Sequence, residues 1–171
     1  KTKTMQRNWI GRKEGINFVE KIKDLDIEFE VFDTVPQTFL AQTFTVIAPE
    51  HPMVQKLVEG TKYETEVMEF VNRVARKKSS GQFDIENDME GIFTGRHVDN
   101  PFGTGDFPIW VASFVVADYG TGIVNCSAHD ERDFAFAKKY DIPLKTVMVP
   151  EDEKEEEKVR NLEYAYCKAP D

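Results

Sequence analysis

Two cysteines, three histidines and no long apolar run leave few of the usual routes to chemistry open to this chain. Cys126 and Cys167 cannot build a disulfide framework or a four-cysteine zinc site, so a reducing, cytoplasmic setting is the default expectation. His51, His97 and His129 never recur at the i, i+4 spacing of a zinc-binding helix, and neither a metal nor another cofactor is expected. No window approaches the ~18 uninterrupted apolar residues of a membrane span. The basic stretch Lys1 to Arg7 leads into no apolar run and is not read as a secretory signal. Positive charge is also scarce. Lys and Arg number 22 against 31 Asp and Glu, and the formal net charge of −9 argues against holding nucleic acid by bulk phosphate neutralisation. A nucleic-acid partner would be met locally, at one end, or held mainly by another part of a larger protein. No Gly-x-Ser-x-Gly elbow is present, and neither cysteine sits beside a histidine–acid pair, so covalent catalysis is not signalled.

What remains is an ordinary globular composition, 40% hydrophobic and 31% charged over 171 residues, enough for one medium domain with a sizeable core. Strands are expected at about Ile16 to Ile22 and Asp26 to Phe32. In the second, Ile27, Phe29 and Val31 alternate with Glu28 and Glu30. It empties into Asp33-Thr34-Val35-Pro36-Gln37-Thr38, where proline forbids ladder pairing and implies a loop. Thr43 to Ala48 is a third β-like run. Val54, Leu57 and Val58 mark a helix that Gly60 ends. Thr61 with Glu64 reads as a capping box for a longer helix with the stripe Val67, Phe70, Val71 and Val74. Ile92 to Thr94 and Ile109 to Val116 continue the β texture, a helix is expected from about Asp130 to Tyr140, and Pro143 to Val149 reads as a further strand. The run Glu151 to Glu157 reads as a solvated face or linker. Mixed α/β architecture around a curved sheet or small barrel follows.

Chemically capable side chains crowd the stretch Gly120 to Asp133. Gly120-Thr121-Gly122 opens like a dinucleotide fingerprint, but Asn125 occupies the third glycine's place and a strand follows, so the nucleotide-fold reading fails. The glycines instead let a ligand approach the main chain. Ser127-x-x-Asp130 reads as a capping box, placing Asp130, Glu131, Arg132 and Asp133 in or near a helix's first turn. There the helix dipole should keep a carboxylate ionised and make it an anchor for an ammonium group, although acidic residues at helix N-termini also occur purely for stability. His129 reads as a local hydrogen-bonding residue rather than a general base. The hydroxyls of Asp33 to Thr38 suit either a water-orienting loop or a plain turn.

Taken in order, these residues resemble a known family. The set is Met5-Gln6-Arg7-Asn8-Trp9-Ile10-Gly11-Arg12, the threonine loop followed by Ala48-Pro49-Glu50-His51-Pro52, Phe93-Thr94-Gly95, Pro108-Ile109-Trp110-Val111-Ala112, Tyr119-Gly120-Thr121-Gly122, and His129-Asp130-Glu131-Arg132-Asp133-Phe134. It resembles the editing domain, connective polypeptide 1, of bacterial-type leucyl-tRNA synthetases. The resemblance implies a β-barrel-centred editing domain with flanking helices at residues 16–150. Residues 1–15 would be a linker and strand leading in from the synthetase body, and 151–171 an acidic polar segment completing the domain. It implies hydrolysis of the ester of mischarged tRNA-Leu (isoleucyl, valyl or norvalyl) by a positioned water, with no metal and no covalent enzyme intermediate. Partners would be the 3′ acceptor end of tRNA-Leu and the rest of the synthetase, with no membrane and a monomeric isolated domain. By position, Asp133 would hold the substrate ammonium group, Thr38 would exclude leucine, and Thr34 would bound the reaction centre. Tyr119, Gly120, Thr121 and Gly122 would line the pocket beside Asp130, with Arg132 supporting the tRNA end.

The departures from the family pattern are local. The usual Thr-Thr-Arg-Pro-Asp-Thr is here Asp33-Thr34-Val35-Pro36-Gln37-Thr38, and Ile123 to Ala128 is one residue shorter than the usual Ala-Val-Met-Ala-Val-Pro-Ala, with Ser127 where proline is common. These changes leave two alternatives open: a non-catalytic or weakened module that binds the aminoacylated end, and the sister editing activity of the valyl or isoleucyl enzymes.

Overall fold

The computed structural model describes residues 14–84, 88–100, 102–118 and 120–167. The segment Met5 to Arg12 and Tyr119, both used above, lie outside them. Six strands form one sheet: β1 (Ile16–Ile22), β2 (Glu28–Asp33), β3 (Gln42–Ile47), β4 (Gly91–Asp99), β5 (Phe107–Ala112) and β6 (Ile123–Ser127), in the spatial order β2-β1-β4-β5-β3-β6. Every pairing is antiparallel except β3 with β5. The described residues also form four helices, α1 (Met53–Val58), α2 (Glu64–Ser79), α3 (Glu131–Lys139) and α4 (Glu153–Arg160), with a 3-10 helix at Pro36–Ala41.

The sheet is apolar on both faces. Neighbouring residues of β3 show this: Ile47 joins a core with Leu57, Val58, Val67, Phe70 and Val74 of α1 and α2, whereas Val46 joins Phe44, Cys126 and Phe136 under α3. The helical stripe expected from the sequence faces inward at Val67, Phe70 and Val74. Burial of such side chains, worth about 1.5–3 kcal/mol each, fixes where the helices lie on the sheet.

Four sequence expectations need correction. The sheet is not closed into a barrel. Its edge strands β2 and β6 come within 8 Å of each other at Cα, yet no backbone ladder joins them among the described residues. Side chains occupy the gap instead. The strand expected at Ile109 to Val116 ends at Ala112, because the Val115 amide turns back to the Ala112 carbonyl. Pro143 to Val149 is not a strand, since the Val147 and Met148 amides are taken by a histidine rather than by a neighbouring strand. At the start of α2 the capping box is displaced: Thr61 Oγ1 accepts from the Tyr63 amide, while the Glu64 carboxylate reaches back to the Gly60 amide.

The polar side chains in the gap form a continuous chain. Asn125 Nδ2 donates to Glu20 Oε1 at 2.7 Å and to Gln42 Oε1 at 3.3 Å, and Thr45 Oγ1 donates to Asn125 Oδ1 at 2.8 Å. Gln42 Nε2 donates to Asp33 Oδ2 at 2.6 Å. Glu20 is 1% exposed, and its Oε2 has no partner. Burial pushes its carboxyl up to about 7 against the Asn125 hydrogen bond. The native state therefore holds a proton that the unfolded chain releases near the ordinary value, so stability falls as pH rises from about 4.5 to about 7. Glu20→Gln keeps the acceptor for Asn125 without the buried charge. It should raise stability by about 1–3 kcal/mol at pH 8 and by little at pH 4, as thermal unfolding at the two pH values will show.

Candidate functional site

β6 delivers the crowded stretch to the start of α3. The cap that starts this helix is Asp130, three residues later than the Ser127 cap expected from the sequence. Asp130 Oδ1 accepts the Arg132 amide at 2.8 Å and the Asp133 amide at 3.1 Å, satisfying two donors that a helix start leaves free. Ser127 plays a different part. Its Oγ accepts the His129 amide, and its own amide donates to Asp133 Oδ2 at 3.3 Å. The carboxylate of Asp133 is thereby folded back over the end of β6, toward the sheet.

A cavity of about 300 Å³ opens between this turn and the strand-end loop after β2. Asp33, Thr34 and Thr38 contribute one wall, Gly120, Thr121, Asn125 and Ser127 another, and Asp130, Arg132 and Asp133 the third. The threonine loop and the α3 turn, far apart in sequence, thus meet at one cavity. Gly122 does not line it. At φ +72° it packs so closely on the Ala117 carbonyl and the His51 ring that a Cβ would sit 3.0 Å from that oxygen, which is a packing reason for glycine. Gly120, at φ +60°, would hold a Cβ no nearer than 3.9 Å to any neighbouring atom, and its main chain is open toward the cavity. A second cavity of about 480 Å³, lined by Val46, Phe114, Val115, Val116 and Val124, shares Asp130, Arg132 and Asp133 with the first. The α3 turn therefore separates a mixed compartment from a more apolar one.

Of the three carboxyl groups lining the first cavity, Asp130 caps α3, and Asp133 and Asp33 are both raised by burial. Asp133 is half-buried and lines both cavities. Its carboxyl is pushed up to about 7, chiefly by burial and further by the charge of Asp130, with the Cys126 thiol, the Ser127 amide and Arg132 pulling the other way. The expectation that the helix start keeps it ionised is corrected here: burial outweighs the amide donors. A positive charge placed beside this carboxyl would lower its pKa again. Asp33 is also raised by burial, opposed by the Val35 amide at 2.6 Å and by Gln42. Within the loop, Thr38 is buried and gives both its amide and its hydroxyl to the Val35 carbonyl, whereas Thr34 is exposed and makes no hydrogen bond among the described residues. The Thr38 hydroxyl is thus engaged within the loop, whereas Thr34 retains a free hydroxyl. Arg132 lies on the exposed rim, 4.0 Å from Asp130.

His129 is structural. Its Nδ1 donates to the Tyr166 carbonyl at 2.7 Å, and its Nε2 accepts the Val147 and Met148 amides at 3.0 and 3.2 Å. Both ring nitrogens are committed to pinning two extended segments against the start of α3, which leaves none for acid–base work. No group of His, Cys, Asp and Glu among the described residues is arranged to hold a metal ion. Sequence reasoning misses Gln42 and Glu20, and sees Asn125 only as an absent glycine. The one available signal is Glu20 between Phe18 and Ile22, a carboxylate on the inward face of an alternating strand.

Similarity to known proteins covers nearly the whole chain. The family model "Leucyl-tRNA synthetase, editing domain" matches residues 7–169. A leucine–tRNA ligase of Desulfotalea psychrophila is 45% identical over 154 residues, covering 90% of this chain and 19% of that protein. One from Nitratidesulfovibrio vulgaris is 44% identical over 154 residues, covering 88% of this chain and 18% of its own. Among solved structures, the leucyl-tRNA synthetase (agnB2 LeuRS) of Agrobacterium radiobacter K84, in a ternary complex with tRNA and LeuAMS, superposes with a TM-score of 0.70 at 28% identity, over 93% of this chain and 19% of that one. The chain thus spans about a fifth of the length of these relatives.

Replacing His129 with alanine should free the Val147 and Met148 amides, speeding their hydrogen exchange at least tenfold while the amides of β5 keep their protection. Equal protection in the variant would show that the ring does not pin the segment.

Proposed function

The chain belongs to the leucyl-tRNA synthetase editing-domain family, and on that premise we propose that it hydrolyses the aminoacyl ester of mischarged tRNA-Leu within a full-length synthetase. The observation that carries this reading is the convergence of the Asp33–Thr38 loop and Asp133 on one cavity of amino-acid size. The chemical need is general. A synthetic pocket separates side chains differing by a methyl group by only ~1–3 kcal/mol, so a second sieve must remove isoleucine, valine or norvaline after transfer.

In this reading Asp133 takes the α-ammonium group, and its buried carboxyl ionises as the cation arrives. Anchoring the amine places the ester carbonyl toward the threonine loop. Water adds to the carbonyl carbon, the bond to the ribose oxygen breaks, and that oxygen leaves with a proton, giving free amino acid and uncharged tRNA. Thr34, with its hydroxyl unengaged, orients the water, and Thr38 limits the space for the side chain. Catalysis then comes from proximity and fixed dipoles rather than from a nucleophilic side chain. The apolar cavity beyond the α3 turn offers Phe114 and several valines to the flat base of the terminal adenosine, with Arg132 at the rim for phosphate. The acidity of the chain fits this reading, because only the acceptor end would be met here and the rest of the synthetase would hold the tRNA.

The altered loop favours a second reading, a module that binds the aminoacylated end without turnover. Release of amino acid from pre-charged isoleucyl- and norvalyl-tRNA-Leu by the synthetase carrying this domain separates the two. Hydrolysis well above the spontaneous rate is expected, with leucyl-tRNA-Leu spared. Asp133→Ala should lose about a hundredfold in kcat/KM, since the ammonium would lose the carboxylate that anchors it. Thr38→Ala should begin to release leucine, a gain of about tenfold, as the space of the γ-methyl and the hydroxyl opens. Binding of a non-hydrolysable isoleucyl-adenosine analogue with no turnover of the ester would establish the second reading instead.

A further inference from the structure

We propose that Gln42, Asn125 and Glu20 are positioning residues that set amino-acid discrimination from inside the sheet, by fixing Thr38 through Asp33 and Val35. This inference rests on the editing reading above. Its basis is an unbroken hydrogen-bond path. Glu20 accepts from Asn125 at 2.7 Å, Asn125 donates to Gln42 at 3.3 Å, and Gln42 donates to Asp33 at 2.6 Å. Asp33 then accepts the Val35 amide at 2.6 Å, and the Val35 carbonyl takes the Thr38 amide at 3.0 Å and the Thr38 hydroxyl at 2.8 Å.

Burial gives the path its stiffness. Glu20 is 1% and Gln42 2% exposed, so neither can exchange its partner for bulk water, and a broken bond would leave a buried polar group unsatisfied. Asp33 is the hinge between core and loop: one carboxylate oxygen faces Gln42 and the other holds Val35. It also stands where the family pattern has its first threonine, and the loop's Val35 and Gln37 stand where that pattern has an arginine and an aspartate. The loop in this chain is therefore fastened from beneath, by a carboxylate and a buried amide. Thr38, the residue that limits the space for the amino-acid side chain, is the far end of that fastening.

The experiment uses the full-length synthetase and compares hydrolysis of isoleucyl- and leucyl-tRNA-Leu in a double-mutant cycle. In Gln42→Leu the kcat/KM preference for isoleucyl over leucyl ester should fall about tenfold. In the Asp33→Thr background, where Gln42 has no carboxylate to hold, the same substitution should change the preference by less than about twofold. An equal effect in both backgrounds, or an unchanged preference in Gln42→Leu, would overturn the proposal, because a merely structural residue acts alike in both. Should Gln42→Leu fail to fold, the Glu20 pair decides: Glu20→Gln, which keeps the acceptor for Asn125, should retain the preference, and Glu20→Met should lose it. Loss in both or in neither would reject the path. A parent enzyme that neither hydrolyses isoleucyl ester nor binds its amide analogue would reject the editing reading itself, a result distinct from an active parent whose preference ignores Gln42.

Discussion

Two sheet edges that approach without joining set the terms for the rest of this structure. β2 and β6 close to within 8 Å at Cα, and side chains rather than a ladder tie the strands around them, Asn125 of β6 to Glu20 of β1 and Gln42 of β3 to Asp33 of β2. A closed ladder would have placed main-chain amides there and left no room for a pocket. The open seam instead keeps a polar lining between two apolar faces, and the loop after β2 and the turn before α3 both abut it. Burying this much polarity is costly unless each group finds a partner, and nearly all do. The exception within the seam is one oxygen of Glu20.

At the other wall of the seam, the helix cap and the carboxyl beside it differ in what they hold. Asp130 spends its charge on the amides of Arg132 and Asp133, which starts the helix and sets its direction. Asp133 receives a longer hydrogen bond from Ser127 and has its carboxyl in drier surroundings, so its proton is held into the neutral range. One carboxylate builds the site while its neighbour, three residues on, remains available to a cation. The dipole of a short helix cannot overcome this degree of burial. In the proposed reading this balance serves recognition of an ammonium group, whose charge would favour the ionised form.

Much of this is legible in the residues, and the parts that are not share a physical cause. Period-two alternation locates β2, and the i, i+3, i+4 stripe locates α2, because those patterns follow from burial on one face. The meeting of the threonine loop with the α3 turn follows only from the family resemblance, as no local pattern encodes a contact across so many residues. Ser127 fits the short-range capping motif, yet the strand runs through it, and the first residue free to cap is Asp130. Pro143 to Val149 has the apolar residues of a strand, but what claims its amides is His129, on another segment. Gln42 and Asn125 give no sign in the sequence because a buried amide announces itself only through partners that the fold supplies. Glu20 alone carries a local signal, being a charge on an inward-facing strand position.

On the proposed reading, Asp133 is a buried acid that ionises when the substrate's ammonium group enters the cavity. The most direct measurement is the titration of the Asp133 carboxyl by carbon-13 NMR, with and without a non-hydrolysable isoleucyl-adenosine amide. A midpoint of about 7 is expected in the free protein, and a fall of about two units or more once the analogue is bound. A midpoint near the ordinary aspartate value of about 4, unmoved by the analogue, would contradict it.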